Sequence, residues 1–238
     1  MANNNAYKLP CEINEKLDEL ERMKDNAKND LYLLKEKRNP NDIQHQVLFI
    51  CLIRVVKYFE SYLLLAKSGY GEPAACILRS VFEALIWMRW SLIEYKNAEI
   101  YFNSSKSEAI RMTEKILSKN LAKIKNAPDP DKVKRLLKDI VKQYKFPDWE
   151  KMAKDSGLGD LYTLIYPVLS AMSHGSMMFF GSRLEKRELS PEPDCDNIIE
   201  FIPIANNVFR DCYLVSEEWI LNGKRHPVPD YRKLMCKD

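Results

Sequence analysis

The chain has 238 residues, of which 46% are hydrophobic and 30% are charged, and its formal net charge is +3. This composition excludes a disordered chain, and the length allows a substantial core in one large domain or in a domain with an appendage. Glycine is scarce, with seven residues, and Val and Thr are few beside Leu, Lys, Glu and Ala, so local preferences favour helix over strand. We therefore expect an all-α protein folded as a helical bundle.

The cysteines and the opening residues indicate the cellular setting. The six cysteines include no C-x-x-C pair, which is typical of a reducing cytoplasm and disfavours a disulfide framework or a zinc site. The opening segment has neither the basic nor the apolar part of a secretory signal. Charged residues, or proline, serine and glycine, interrupt the longer apolar segments, which disfavours membrane insertion. We expect a soluble cytoplasmic protein that needs no metal or other cofactor.

Helical periodicity predicts three helices in the first part of the chain. From Cys11 to about Lys37, apolar residues recur at helical spacing among charged residues, which is typical of an exposed amphipathic helix. Asp42 can cap a second helix that runs to about Lys67, and Pro73 lies at the start of a third. The second and third helices are apolar on most sides, so we expect them at the centre of the bundle.

Polar breaks divide the rest of the chain into further predicted helices. A short helix follows Asp148, and a more apolar helix runs from Asp160 to about His174. The last helix ends at about Asn222 and either starts after Pro203 or kinks there, because proline interrupts the helical hydrogen bonds. The predicted single domain has an N-terminal helix at residues 1–41, a core bundle at 42–97 and 160–222, and an inserted basic helical hairpin at 98–147.

The inserted hairpin is the most basic part of the chain. Between residues 106 and 145 there are twelve Lys and Arg against five Asp and Glu, a local charge of +7. One of its helices carries an i+4 stripe of cations that can contact RNA phosphates in a salt-dependent way: Arg111, Lys115, Lys119 and Lys123. A solvated surface explains the same pattern, and the stripe lacks the interleaved aromatic residues of a stacking platform.

Two apolar segments contain polar residues at helical spacing. In ILRSVFEALIWMRW, Arg79 and Glu83 lie one turn apart, and in YPVLSAMSHGS, Tyr166, Ser170 and His174 lie at successive i+4 positions. Because buried charges need partners, we expect Arg79 and His174 to lie within one side-chain reach of each other.

Other helices can add polar groups to this cluster. The second and last helices carry four candidates, Arg54, Glu60, Asn206 and Arg210. Of these, Asn206 and Arg210 form, with Tyr166, the predicted supporting polar cluster. One interpretation is a satisfied polar network that sets the register of the helices. The other is a functional cleft in which His174 transfers protons and Arg79 holds an anion.

The two segments together resemble an uncharacterised bacterial family of all-helical proteins, marked by an Arg-Ser-x-x-Glu helix followed by a Tyr-x-x-x-Ser-x-x-x-His helix. That family is similar in turn to the HEPN superfamily (higher eukaryote and prokaryote nucleotide-binding domains), whose active members are metal-independent ribonucleases common in toxin and antiphage systems. The resemblance extends over residues 42 to 222. It implies catalytic roles for Arg79, Glu83, Ser170 and His174, RNA as the substrate, and a homodimer whose protomers face each other across the cleft.

The chain departs from the pattern of active HEPN ribonucleases, which typically show Arg-x4-6-His at the start of a late helix. No Arg precedes His174 at that spacing, and the literal match from Arg38 to His45 straddles a proline turn. A ribonuclease here needs a cation from another helix, such as Arg79 or Arg210.

The implied chemistry requires no metal. In that reading His174 acts as base or acid toward a ribose 2′-OH, Arg79 holds the phosphate, and Glu83 and Ser170 orient them. The sequence contains no Walker A, G-x-G-x-x-G or G-x-S-x-G motif, and its three histidines lack metal-ligand spacing. The alternatives are a noncatalytic module that binds a nucleotide or a protein partner, such as another component of a defence system, and an interaction protein whose polar network is purely structural.

Overall fold

A computed structural model describes residues 9–103, 135, 148–174 and 195–231. All regular secondary structure in these residues is helical, which confirms the all-α class. The helices are numbered here in chain order as α1 (Cys11–Lys37), α2 (Ile43–Lys67), α3 (Gly71–Ser91), α4 (95–103), α5 (Trp149–Asp155), α6 (Gly159–Ser173) and α7 (Cys195–Asn222).

The junction between α1 and α2 lies where the local sequence signals predict it. α1 ends at Lys37, after which Arg38 has extended backbone. Asp42 is the N-cap of α2, and its carboxylate accepts hydrogen bonds from the backbone N–H groups of Gln44 at 2.8 Å and His45 at 3.4 Å. These two N–H groups have no acceptor within the helix, so the cap satisfies them.

Prolines interrupt the helices less than the sequence suggests. α3 begins at Gly71, so Pro73 lies in the first turn, where its missing N–H costs nothing. Pro167 lies inside α6 and Pro203 inside α7. α7 starts at Cys195 and continues through Pro203, so the start after this proline is wrong. Both interior prolines are exposed, and water can therefore satisfy the carbonyl groups that lose a helical hydrogen bond.

The core lies between α2, α3 and α7. α2 packs against α1, α3 and α7, and α3 packs against α2, α5, α6 and α7, which confirms the central position of the second and third helices. Phe59 of α2 and Phe209 of α7 are fully buried, and their rings stack with centroids 4.1 Å apart. Burying a Phe side chain contributes about 1.5–3 kcal/mol. This packing leaves one side of α3 to face α6.

The most apolar segment of the second half of the chain forms α6, which has 15 residues. Within the described part of the chain, no helix combines the length and the apolar character needed to cross a bilayer.

The predicted basic hairpin falls mainly on residues that the structure does not describe. Of residues 98–147, the described ones are 98–103, which belong to α4, and the single residue Arg135. The predicted RNA-contacting stripe lies outside the described residues in full.

Candidate functional site

Arg79 of α3 lies at the centre of a polar cluster between α3 and α6. Its Nε donates to Glu83 Oε1 at 2.9 Å, and its Nη2 donates to the Tyr166 hydroxyl at 3.0 Å. Its Nη1 lies 3.1 Å from His174 Nε2, a contact between residues 95 positions apart in the sequence. The structure thus brings together Arg79, Glu83, Tyr166 and His174.

Tyr166 closes this cluster from the side of α6. Its hydroxyl donates to Glu83 Oε1 at 3.1 Å, so the same carboxylate oxygen accepts from both Tyr166 and Arg79. The Arg79 guanidinium carbon lies 5.1 Å from the centroid of the Tyr166 ring, within the range of a cation–π contact. The Tyr162 ring stacks on the Tyr166 ring, with centroids 4.5 Å apart. Two helices therefore hold the orientation of the guanidinium.

The Arg79 contact identifies the nitrogen of His174 that accepts a hydrogen bond in this arrangement. A guanidinium can only donate hydrogen bonds, so Nε2 is the acceptor, and this contact assigns the tautomer that carries its proton on Nδ1. His174 follows the last residue of α6 and is exposed. The Nε2 lone pair is thus occupied by Arg79, while the ring edge is open to solvent.

The charged pair of the cluster is half-buried, with 20% of the Arg79 side chain and 26% of the Glu83 side chain exposed. Burial lowers the pKa of Arg79, but the hydrogen bonds with Glu83 and Tyr166 raise it overall, so the guanidinium stays charged. Burial raises the pKa of Tyr166, and the Glu83 charge raises it further, so the phenol remains a donor. One cation and one anion give the cluster no net charge.

The guanidinium retains donors for a ligand. Arginine has five N–H groups, and three bonds of Arg79 are accounted for by Glu83, Tyr166 and His174. In the described part of the chain, the remaining two N–H groups have no acceptor. A phosphate or carboxylate arriving from solvent can therefore bind Arg79 while the bond to Glu83 persists.

Ser170 lies between Tyr166 and His174 on the same side of α6. It is partly buried, and its backbone carbonyl accepts the N–H of His174 at 3.1 Å. Among the described residues, its hydroxyl forms no hydrogen bond with Arg79 or Glu83. Ser170 therefore belongs to the wall of the site and not to its hydrogen-bonded centre.

The structure does not bring Asn206 and Arg210 to Arg79. Asn206 lines a cavity of about 330 Å³ between α7 and α1, together with Lys16 of α1. Tyr213, two helical turns along the same side of α7, donates to Asp30 of α1 at 2.8 Å. Arg210 lies between them on this side and is exposed. Asn206 and Tyr213 face α1, whereas Arg79 faces α6.

The other polar residues of α2 have partners elsewhere. Glu60 pairs with Lys28 of α1 at 3.7 Å, and Arg54 bonds to the hydroxyls of Tyr58 and Tyr101.

The Arg38 to His45 match also lies away from Arg79. The Arg38 guanidinium lies 4.8 Å from the centroid of the Phe49 ring. His45 Nδ1 accepts the backbone N–H of Asn39 at 3.1 Å. Both side chains support the turn between α1 and α2.

A second buried charge pair, which the sequence analysis did not single out, joins α3 to α7. Arg89 Nε donates to Asp211 at 2.8 Å, a second guanidinium nitrogen donates to the other carboxylate oxygen, and Tyr231 also donates to Asp211. Arg89 further donates to the backbone carbonyls of His226 at 3.1 Å and Pro227 at 3.0 Å. The signal available in the sequence was an arginine, Arg89, among the apolar residues of α3 and an aspartate, Asp211, among those of α7.

Arg89 and Asp211 are closed to solvent, with 6% and 1% of their side chains exposed. Their bonds hold the irregular segment after α7 against α3, which is a structural role. Among the described residues, no group of three or more His, Cys, Asp or Glu side chains is placed to hold a metal ion.

The region that contains the Arg79 cluster defines the family of the protein. The chain belongs to a family of unknown function, DUF5677, whose model matches residues 45–190. This match includes α2 from His45 onward, the described helices α3 to α6 and every residue of the cluster, and it excludes α1, Asn206 and Arg210. Neither a curated protein nor a solved structure matches the chain.

Proposed function

We propose that this protein is a HEPN-like, metal-independent endoribonuclease of a bacterial toxin or antiphage defence system, with its active site at Arg79 and His174. The observation that carries the proposal is the 3.1 Å contact between Arg79 Nη1 and His174 Nε2 at a site open to solvent. It joins the two sequence segments on which the HEPN resemblance rests. It also supplies, from another helix, the cation that the sequence lacks directly before His174.

The proposed reaction starts with the entry of an RNA phosphate. A phosphate oxygen takes over the hydrogen bond that Arg79 donates to His174, which frees the Nε2 lone pair. Nε2 then accepts the proton of the adjacent ribose 2′-OH, and the 2′-oxygen attacks phosphorus. The P–O5′ bond breaks, and the products are a 2′,3′-cyclic phosphate and a 5′-hydroxyl that takes its proton from the imidazolium.

The neighbouring residues have supporting roles in this scheme. Arg79 stabilises the added negative charge on the phosphate in the transition state. Glu83 and Tyr166 hold the guanidinium at a fixed angle, because each bonds to a different nitrogen of Arg79. Ser170 lines the site beside His174, and its backbone carbonyl accepts the His174 N–H, so it helps to orient the histidine.

The proposal includes the way in which RNA reaches the site. Two protomers form a homodimer with their clefts facing each other, and the substrate binds along a stripe of cations, Arg111, Lys115, Lys119 and Lys123. Reversing the charges of Lys115, Lys119 and Lys123 should weaken RNA binding and flatten its salt dependence without changing the chemical step. Filter binding at several salt concentrations measures this effect.

The test is cleavage of labelled total RNA by the purified protein, with and without EDTA. His174→Ala should lower the cleavage rate by about 10² to 10⁴, the usual contribution of a general acid or base. EDTA should have no effect, and the products should end in a cyclic phosphate. His45→Ala is the matched control, because this histidine supports a turn, and it should cleave as the wild type does.

Two outcomes of this assay would count against the proposal. Equal cleavage by wild type and His174→Ala would place the activity at another site or in a contaminant. A large drop in melting temperature for His174→Ala would assign the residue a structural role, which a parallel thermal melt detects.

The second candidate is a noncatalytic module that binds a nucleotide or a protein partner, such as a component of the same defence system. The observation that favours it is the neutral, largely satisfied cluster, in which each nitrogen of Arg79 already has a partner. RNA or nucleotide binding without cleavage by any variant would select this function.

A further inference from the structure

Arg54 of α2 is a second arginine that tyrosines hold in place. Its Nη1 donates to the Tyr101 hydroxyl at 3.2 Å, and its Nη2 donates to the Tyr58 hydroxyl at 3.3 Å. Its guanidinium carbon lies 5.7 Å from the centroid of the Tyr58 ring. Tyr101 belongs to α4 and Tyr58 to α2, so two helices orient this side chain, as α3 and α6 orient Arg79.

Arg54 differs from the other two clustered arginines in having no carboxylate partner. Arg79 pairs with Glu83 and Arg89 pairs with Asp211. Within residues 9–103, 148–174 and 195–231, no carboxylate oxygen lies within 4.0 Å of the Arg54 guanidinium. The first acidic residue of α2 is Glu60, which pairs with α1. The charge of Arg54 is therefore available to an external anion.

The tyrosines do not neutralise this charge. Burial raises the pKa of Tyr101, so its phenol stays protonated at neutral pH. Arg54 itself is exposed, and three of its five N–H groups have no acceptor in the described part of the chain. A cation that is held rigidly, reached by solvent and not compensated is suited to bind a phosphate oxygen.

Aromatic packing connects Tyr101, which bonds to Arg54, to the helix that carries Arg79. The Tyr101 ring packs against Trp87 of α3 with centroids 4.8 Å apart. Trp87 lies eight residues after Arg79, which is about 12 Å along the helix axis at 1.5 Å per residue. Arg54 and Arg79 therefore lie on adjacent, packed helices, and the contact between Tyr101 and Trp87 connects their surroundings.

We infer that Arg54 is a second phosphate subsite, which binds a backbone phosphate of the RNA strand whose scissile phosphate lies at Arg79. This inference rests on the proposed function, because it takes RNA as the ligand. It adds a residue that binds the strand and takes no part in the chemical step.

The experiment measures binding of a fluorescent 2′-O-methyl oligoribonucleotide, which lacks the attacking hydroxyl and cannot be cleaved. Affinity is measured by anisotropy at several salt concentrations for wild type, Arg54→Gln, Arg54→Lys and Lys57→Gln. For single strands, each phosphate contact contributes about 0.7 to the slope of log K against log salt. Arg54→Gln should bind more weakly with a slope smaller by about 0.7, while Lys57→Gln, an exposed lysine one turn away, keeps the wild-type slope.

Two further variants separate charge from geometry. Arg54→Lys should keep the slope but bind more weakly, because lysine loses the planar fork of donors. Tyr101→Phe removes the hydroxyl that positions Arg54 and should weaken binding with the slope retained. If Arg54→Gln does not fold, as judged by circular dichroism, Tyr101→Phe decides, and unchanged affinity in that variant overturns the subsite.

Failure of the subsite is distinguishable from failure of the proposed cleavage. A wild-type slope in Arg54→Gln, an equal loss in Lys57→Gln, or no binding by the wild type overturns the subsite, even if RNA is cleaved. An Arg54-dependent slope in a protein that cleaves nothing supports the subsite and contradicts the ribonuclease.

Discussion

Two arginines of α3, Arg79 and Arg89, have similar partners but differ in their exposure to solvent. Arg79 and Arg89 each pair with a carboxylate that also accepts a hydrogen bond from a tyrosine hydroxyl, but Arg89 and Asp211 are almost fully buried, whereas Arg79 is 20% exposed beside an exposed histidine. A closed pair holds two segments together and admits no ligand. An open pair with two unused N–H groups can exchange a partner for a ligand.

The buried pair should therefore be the more costly one to break. Arg89→Met leaves Asp211 charged and buried, and it should lower the free energy of unfolding by about 3–5 kcal/mol. The double variant Arg89→Met with Asp211→Leu should recover part of this loss, since no buried charge remains. Urea unfolding measures both.

An exposed pair provides the comparison for this series. Lys154→Ala, which breaks the solvent-exposed pair with Glu150, should cause no measurable change. A double variant as unstable as the single variant would contradict the assigned role of the buried charge.

Tyr166 should contribute to stability through its hydroxyl. Tyr166→Phe removes the bonds to both Arg79 and Glu83 while keeping the ring, and should cost about 1 kcal/mol of unfolding free energy, as for a typical half-buried hydrogen bond. Tyr162→Phe is the control, because the Tyr162 hydroxyl has no hydrogen-bond partner among the described residues. Chemical unfolding of both variants tests this, and equal losses would show that the hydroxyl of Tyr166 is not the cause.

At the scale of elements, α1 is attached to the bundle by an apolar side and by ion pairs. Its buried residues include Ile13, Leu17 and Leu34. Lys67 at the end of α2 bonds to Asp18 and Glu21 of α1, each at 2.6 Å. The family match begins at residue 45, after α1. These contacts explain how a helix outside the matched region is held against the family core.

The ion pairs of α1 predict a dependence of stability on pH. The hydrogen bond from Lys67 holds the pKa of Asp18 below its usual value, which is about 3.9. A carboxyl with a lowered folded-state pKa stabilises the fold above its unfolded value and loses this contribution as pH falls through the folded value. Stability should therefore fall below about pH 4, and less steeply in Lys67→Gln. Urea midpoints across this pH range measure the difference, and parallel curves would contradict it.

At the scale of the whole molecule, the proposed dimer predicts a mass. One chain has a mass of 27.9 kDa, so light scattering at micromolar concentration should return about twice this value if two clefts face each other as in HEPN proteins. His174→Ala should have the same mass, because the proposed function gives this exposed histidine a role in the cleft. A mass of one chain for the wild type would remove the dimer from the proposed function.

The sequence predicted the elements well where local chemistry sets them. Asp42 caps α2 with its own carboxylate, and α1 ends directly before the turn that contains Pro40. The start of α7 was less predictable. Proline is expected to end a helix because the carbonyl one turn before it loses its hydrogen-bond donor, and this expectation assumes that no other donor is available. Pro203 is exposed, and solvent removes that penalty. A local rule therefore fails where the position of the residue in the fold changes its energy.

By itself, the sequence determined the all-α class and the pairs that one helix can form. Arg79 with Glu83, and Tyr166 with Ser170 and His174, follow from i+4 spacing, because helix geometry places such residues on one side. Only the tertiary structure decided which sides meet. The rotation of each helix about its axis is set by burial of the whole apolar surface, so no single residue predicts it. That rotation turned α6 toward Arg79, turned Asn206 toward α1, and joined Arg89 to Asp211 across 122 residues.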